Sequence, residues 1–307
     1  NRPRERWQFA MNDQLIGQLR KNYQFSESTD LTSFTTFKLG ATGSLLTIKS
    51  VDELKSAQVL LNKNQVSVRV LGLGANQIIP QSFDGIYLKL EFEIEKDILK
   101  EKKESYRLPA SLNLVQLTQH AIVYNLKGWD SFTGIPATLG GAIFMNAGTT
   151  LGEIGSLATE VRVVSKEGET VSYSVDEKSF SYRCCNFLKE GDIIFEVTLK
   201  NRGVEVGLGE KIKNYLRWRS DVQPLNSKTC GCVFKNHNDQ IRAGKSIDIL
   251  GLSGFTLGDI RISHKHANFM ENIGNASYNS FKEMVELVSD ELYLYYGVLF
   301  QPEVKIE

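Results

Sequence analysis

The sequence carries no net charge, with 36 lysines and arginines against 36 acids. No field therefore draws the chain to nucleic acid or an anionic membrane, and its partners must be argued from local sites. No apolar run reaches the roughly 18 residues that a membrane-spanning helix needs, so no membrane insertion is expected. The opening "NRPRERWQFAMNDQ" lacks the apolar core of a signal peptide, and the cytoplasm is the expected compartment. Four cysteines, Cys184, Cys185, Cys230 and Cys232, are too few for a disulfide framework in 307 residues. A reducing compartment keeps them as thiols. Internal repeats and low-complexity tracts are absent too, so the chain reads as an ordinary globular protein of two or three domains.

What is present is a strand-rich mixture of helix and sheet. "SVDELKSAQVLLNKN" places Ser50 and Glu53 at capping-box spacing, with Leu54, Ala57, Leu60 and Leu61 on one helical face. "VSVRVLGLG" then reads as a buried strand feeding a glycine loop. An Asp84-Gly85 turn leads into the strand of "FDGIYLKL". Charge clusters in "EFEIEKDILKEKKESYRL", which reads as a solvated connection or hairpin. "ASLNLVQLTQHAIVYNLKG" reads as a second amphipathic helix closed by Gly128, and strands follow in "EVRVVSKEGETVSYS" and "DIIFEVTLKNR". From a boundary near Gly203–Gly209 the character changes. A helix over 209–220 precedes a loop holding Cys230 and Cys232. The last helix sets Phe281, Met284, Val285, Val288, Leu292 and Tyr295 on one face.

Two glycine loops narrow the class of ligand. "GLGAN" follows a strand, as in a dinucleotide fold, but it runs into Gln77-Ile78-Ile79-Pro80 and a turn where that fold requires a helix. Taken alone, Gly72 and Gly74 read as a tight turn. "TGIPATLGGAIFMNAG" is denser, with Gly134, Gly140, Gly141 and Gly148 around Pro136. Two strand-associated loops without a Walker lysine suit an extended dinucleotide such as FAD, its pyrophosphate held by backbone amides. Neither loop contains histidine or cysteine, so the flavin is expected to be non-covalent.

"KTCGCVFKN" poses a separate question: half a metal site, half a disulfide, or one working thiol. A four-thiolate zinc site would need Cys184 and Cys185 as adjacent ligands, which are strained, and Cys-x-x-Cys spacing is the commoner zinc signature. His264 and His266 lie two apart, a spacing that reaches one metal only on special backbone. No metal site is expected.

In order and spacing, "RVLGLGANQIIP", "GWDSFTGIPATLGGAIFMNAG", "SYRCCNF", "CGCVFKN", "KHANFMENIGNAS" and "PEVKI" resemble the shorter subtype of MurB-type UDP-N-acetylenolpyruvoylglucosamine reductases, from about Thr35 to Glu303. The resemblance implies an α+β fold: a two-lobed FAD module of the vanillyl-alcohol-oxidase type and a carboxy-terminal α+β substrate domain. The expected boundaries are 1–95, 96–205 and 206–300, with a tail, 301–307, returning to the flavin. It implies a bacterial cytoplasmic enzyme in which NADPH reduces FAD and the enolpyruvyl group of UDP-N-acetylglucosamine enolpyruvate is reduced to UDP-N-acetylmuramate, a peptidoglycan precursor. No obligate protein partner is implied.

The same resemblance assigns Arg183, Cys232 and Glu303 as catalytic residues. Hydride addition leaves charge on the enolpyruvyl α-carbon and its carboxylate, so donors and one proton are needed there. Arg183 would hold the enolate, Glu303 would act as a protonated carboxyl, and Cys232, where most members have serine, would be the working thiol. Gly72, Leu73, Gly74, Ala75, Asn76, Gly134, Ile135, Pro136, Gly140, Gly141, Ala147 and Gly148 would cradle FAD. Tyr182, Lys235 and Asn236 would meet the substrate. Ala75, Ala137 and His237 depart from the family's usual serine, glycine and proline. Another flavin oxidoreductase of this fold, or a non-catalytic flavin or nucleotide-sugar module, is the alternative.

Overall fold

A computed structural model describes residues 11–306. The first ten residues of the expected amino-terminal lobe, and Glu307 at the end of the expected tail, lie outside the described residues. The described chain forms two compact units. One takes residues up to Thr29, Gly43–Gly72 and Ser82–Val204; the other takes Asp30–Thr42, Leu73–Gln81 and everything from Glu205 on.

The first unit is built on two four-stranded sheets. Helix α1, Asp13–Asn22, starts where the Asn12 side chain accepts from Leu15 N. The first sheet has the order Gln24–Asp30, Thr42–Ile48, Ile86–Leu90, Val68–Val70, and its last three strands are parallel. Helix α2, Val51–Lys63, makes the crossover that parallel pairing demands. Ser50 Oγ accepts from Glu53 N, while the Glu53 carboxylate reaches back to Lys49 N at 2.8 Å. The second sheet, Thr170–Ser174, Ala158–Val164, Ile193–Lys200 and Ser105–Pro109, is antiparallel throughout. Helix α3, Leu114–Tyr124, and the short helix α4, Leu139–Phe144, belong to this half.

One apolar core joins the two sheets: Leu15 and Leu19 of α1 and Leu54, Ala57 and Leu61 of α2 pack with Val164, Ile193 and Phe195. Buried Gln58 lies on the same face of α2. Its amide nitrogen meets the carbonyls of Val164, Ser165 and Gly191, so no polar atom is left stranded there.

The second unit packs an antiparallel sheet, in the order Thr229–Cys232, Phe269–Asn272, Ile260–Ile262, Thr256–Leu257, with helices α5, Leu208–Val222, α6, Ala243–Ile249, and α7, Tyr278–Tyr296. Phe281, Met284, Val285, Val288 and Leu292 of α7 enter its core with Phe37, Ile78 and Cys230. The Asn272 amide clamps the Phe37 carbonyl at 3.0 Å.

Several expectations change. Helix α3 ends at Asn125, whose left-handed φ of 51° closes it before Gly128. Asparagine tolerates that conformation because its short side chain bonds locally. Val68–Val70 is an edge strand with Val70 exposed, not a buried one. The charged connection ends in a strand, Ser105–Pro109, whose Tyr106 and Leu108 are buried. Tyr295 lies on the exposed side of α7, at 65% exposure. Among the described residues no helix is long and apolar enough to cross a membrane.

Candidate active site

In the first unit, Tyr182 and Arg183 are the two central residues of a tight hairpin between Phe180–Ser181 and Cys184–Cys185, with Ser181 opposite Cys184. Arg183 has φ 56°, left-handed backbone that glycine normally fills. Strain of this kind persists only where its surroundings over-determine it. The guanidinium donates to Gly148 O at 3.3 Å and sits 5.1 Å from the centre of the exposed Tyr182 ring. Arg183 is thereby anchored to the second glycine loop.

Gly72, the one residue of the first glycine loop in this unit, approaches the second loop, since a Cβ on it would lie 3.1 Å from Thr138 Oγ1. Gly140 and Gly148 are required by packing: added Cβ atoms would come 2.8 Å from Ala110 and 2.7 Å from Glu153 and Gly152. Gly134, Pro136 and Gly141 are exposed, while Ile135 and Ala147 are half-buried. Among the described residues the backbone N–H groups of Gly72, Leu73, Gly74, Ala75 and Asn76 meet no protein acceptor. Buried Ser131 Oγ, just before the second loop, has no protein partner either. Unfilled backbone donors on a glycine loop fit a diphosphate-bearing cofactor. Gly74 itself admits no side chain, with φ 61° and a hypothetical Cβ 2.2 Å from Phe34 O.

In the second unit, a bulge answers the question of the two cysteines. Thr229 pairs with Glu271 and Cys232 with Phe269, so this strand holds one residue more than its partner, and Gly231 at φ 79° absorbs it. Without the bulge, residues two apart would share a face. With it, Cys230 is 1% exposed in the core and Cys232 is half-exposed. Burial pushes the Cys230 thiol far up, so it stays protonated, a small packed residue.

Glu303 reaches this strand from the other end of the unit. Its N–H donates to Val233 O at 2.7 Å, Phe234 bridges Pro302, and Lys235 N donates to Gln301 O. Lys305–Ile306 then pairs in parallel with Gln77–Ile78, and the Asn76 amide holds the Glu303 carbonyl at 3.1 Å. Half-buried Glu303 is thus tied to the residue after Cys232. Lys235 is half-buried, and exposed Asn236 accepts through its side-chain oxygen from Ala243 N at the start of α6.

One residue acting on Cys232 escaped the sequence reading. Arg219 on α5 is lowered in pKa chiefly by burial, while Tyr215 and Cys232 act in the opposite sense. Its Nε donates to Gln223 at 2.8 Å. Only its place one turn after Tyr215, with that ring 5.9 Å from the guanidinium, singles it out among the basic residues of "RWRSD". His266 packs edge-on against Phe269, and burial lowers its pKa. Among the described residues no group of three or more His, Cys, Asp or Glu is disposed to hold a metal ion.

Comparison with known proteins adds the following. Residues 44–174 match the family model described as FAD binding domain, and residues 223–307 match that of the UDP-N-acetylenolpyruvoylglucosamine reductase C-terminal domain. The UDP-N-acetylenolpyruvoylglucosamine reductase of Lactobacillus gasseri is 30% identical over 302 residues, covering 96% of this chain and 98% of the relative. That of Chlamydia pneumoniae is 30% identical over 278 residues, 90% of each. The crystal structure of the Thermus caldophilus reductase, MurB, superposes with a TM-score of 0.77 at 30% identity, covering 92% of this chain and 98% of that one.

Proposed function

We propose that this chain, which belongs to the UDP-N-acetylenolpyruvoylglucosamine reductase family, completes its reaction with a cysteine thiol, Cys232, as proton donor. The protein is an FAD-dependent oxidoreductase of peptidoglycan precursor synthesis, with NADPH as reductant. Bound FAD supplies the hydride that adds to the enolpyruvyl β-carbon of UDP-N-acetylglucosamine enolpyruvate.

Gly72–Asn76 are the residues that would hold the cofactor through backbone N–H groups, and the exposed Gly134, Pro136 and Gly141 of the second loop would lie against it. Hydride addition leaves negative charge at the substrate's α-carbon and carboxylate. Cys232 gives its proton to that carbon: a C–H bond forms, the S–H bond breaks, and a thiolate remains. Arg219, whose charge a Cys232 thiolate favours, stabilises that thiolate in return. Arg183 offers a planar fork of donors to the carboxylate. Glu303 acts as a protonated carboxyl that donates to the developing charge. Lys235 and the Asn236 amide face the diphosphate or sugar, and Tyr182 covers the substrate. The product is UDP-N-acetylmuramate, made in the bacterial cytoplasm.

The backbone bond from Glu303 to Val233, which ties the main chain of Glu303 to the residue after Cys232, is the observation that carries this reading. Anaerobic stopped-flow spectroscopy tests it. The purified protein is expected to show the oxidised-FAD spectrum, released on denaturation, to bleach with NADPH, and to recover colour with the enolpyruvyl substrate. Arg183→Ala and Glu303→Gln are expected to slow recovery far more than bleaching. A colourless protein that fails to bind added FAD, or variants impaired mainly in bleaching, would refute it.

A further inference from the structure

The turn that carries Arg183 is bonded to one short segment of the second glycine loop. Cys185 Sγ lies 3.3 Å from Phe144 O, and Asn146 Nδ2 donates to Ser181 O at 3.1 Å. The guanidinium itself reaches Gly148 O. The thiol contact is weak and half-exposed, and the guanidinium contact belongs to the group being held. Of these three contacts the one from Asn146 is the firmest.

Asn146 is 1% exposed, and its backbone is left-handed at φ 42°. All of its amide is engaged. Oδ1 accepts from Gly155 N at 3.0 Å, and Nδ2 donates to Glu153 Oε2 at 2.8 Å as well as to Ser181 O. The Gly155 and Glu153 bonds are local and hold the loop's own return. The Ser181 bond reaches across to the residue just before Tyr182-Arg183. Holding that carbonyl fixes the plane of the Ser181–Tyr182 peptide, the pivot on which the two-residue turn rotates. Moving the pivot by an ångström would carry the guanidinium off its target, and misplacement on that scale costs about 100-fold in rate.

We infer that Asn146 is a positioning residue for Arg183, coupling the second glycine loop to the arginine through the Ser181 carbonyl; this rests on the reading of Arg183 given above. The paired substitution Asn146→Asp with Glu153→Gln tests it. The carboxylate introduced by Asn146→Asp still accepts from Gly155 N and gains a donor in the amide introduced by Glu153→Gln, so the loop's internal bonds are kept. Ser181 O alone then faces an oxygen and loses its donor.

The paired variant is expected to bind FAD and to slow flavin reoxidation by the enolpyruvyl substrate roughly 10–100-fold more than reduction by NADPH. Asn146→Gly, compatible with the left-handed backbone, serves as the second variant should the exchange fail to fold. In an Arg183→Ala background, Asn146→Gly is expected to add less than about 2-fold to the reoxidation defect, because residues acting through one another are not additive. Wild-type reoxidation in Arg183→Ala alone overturns both readings. Slow Arg183→Ala with normal reoxidation in the Asn146 variants, or full additivity of Asn146→Gly with Arg183→Ala, overturns the inference on Asn146 and leaves Arg183 in place.

Discussion

Arg183 occupies backbone that glycine prefers, and this inverts the usual ranking of two substitutions. Replacing it by glycine or by alanine removes the same contacts, the bond to Gly148 O and the approach to Tyr182. The variants differ only in the main chain. Alanine keeps the left-handed cost of about 1–2 kcal/mol; glycine escapes it but loses about 0.5–1 kcal/mol more chain entropy on folding. Arg183→Gly is therefore expected to be the more stable of the two by about 0.5–1 kcal/mol, about 1–2 °C in thermal midpoint for a chain of this size. Thermal unfolding of both variants at saturating FAD, followed by circular dichroism, measures the difference. Both are expected to lose reoxidation by substrate to the same degree. An alanine variant equal to or more stable than the glycine variant would refute the argument that the turn holds Arg183 in a strained conformation for function.

Three further outcomes are expected. Cys232→Ser keeps substantial turnover, since a hydroxyl also donates a proton, whereas Cys232→Ala loses roughly 10²–10⁴-fold; Cys230→Ala, in the core, loses about 1 kcal/mol of stability with near-normal turnover, and steady-state rates with denaturation curves separate the two. Gly231→Ala meets no steric obstacle, because nothing lies within 4 Å of an added Cβ, but its φ of 79° predicts a cost of about 1–2 kcal/mol by urea denaturation. His120, packed against Tyr106, Tyr124 and Trp129, is held below its ordinary 6.5 by burial, against a hydrogen bond to Leu99 that raises it. Its unfolded form takes up protons first, so the stability it contributes is whole above about pH 6.5 and is lost as pH falls through the lowered folded value. His120→Phe is expected to flatten the fall in thermal midpoint between about pH 7 and 5, and an unchanged slope would refute this assignment.

Helices with strong apolar periodicity were legible in the sequence. The stretch from Ser50 and the Phe281–Leu292 face form α2 and α7 with those residues buried, as the 3.6-residue period requires. Tyr295 misled because the period continues past the point where the core stops. Short strands such as Ile260–Ile262 carry too few residues for a period of two to register. Asn125 replaced Gly128 as the helix stop because either residue can take left-handed backbone, and tertiary contacts chose between them. At the candidate site, the identities of Arg183, Cys232 and Glu303 came from motif order, but the bulge at Gly231 did not: only the cross-strand register shows an extra residue. Arg219 and Asn146 were hidden for a similar reason, since each matters through a neighbour far from it in sequence. Nor does any local pattern mark residues 30–42 and 73–81 as companions of the carboxy-terminal unit.

That companionship has a consequence for how the protein is made. The first unit's core draws on residues up to Phe195, and it can condense while later residues are still on the ribosome. The second unit cannot: its core needs Phe37 and Ile78 from early in the chain, and Gln77–Ile78 receives its strand partner only when Lys305–Ile306 has been synthesised. Until then the segment around Ile78 and Ile79 must wait as an apolar loop with unpaired strand edges, a state that invites association with other chains. Closing the pairing across more than two hundred residues is entropically slow. The strand that brings Glu303 to Val233 thus also completes the second core.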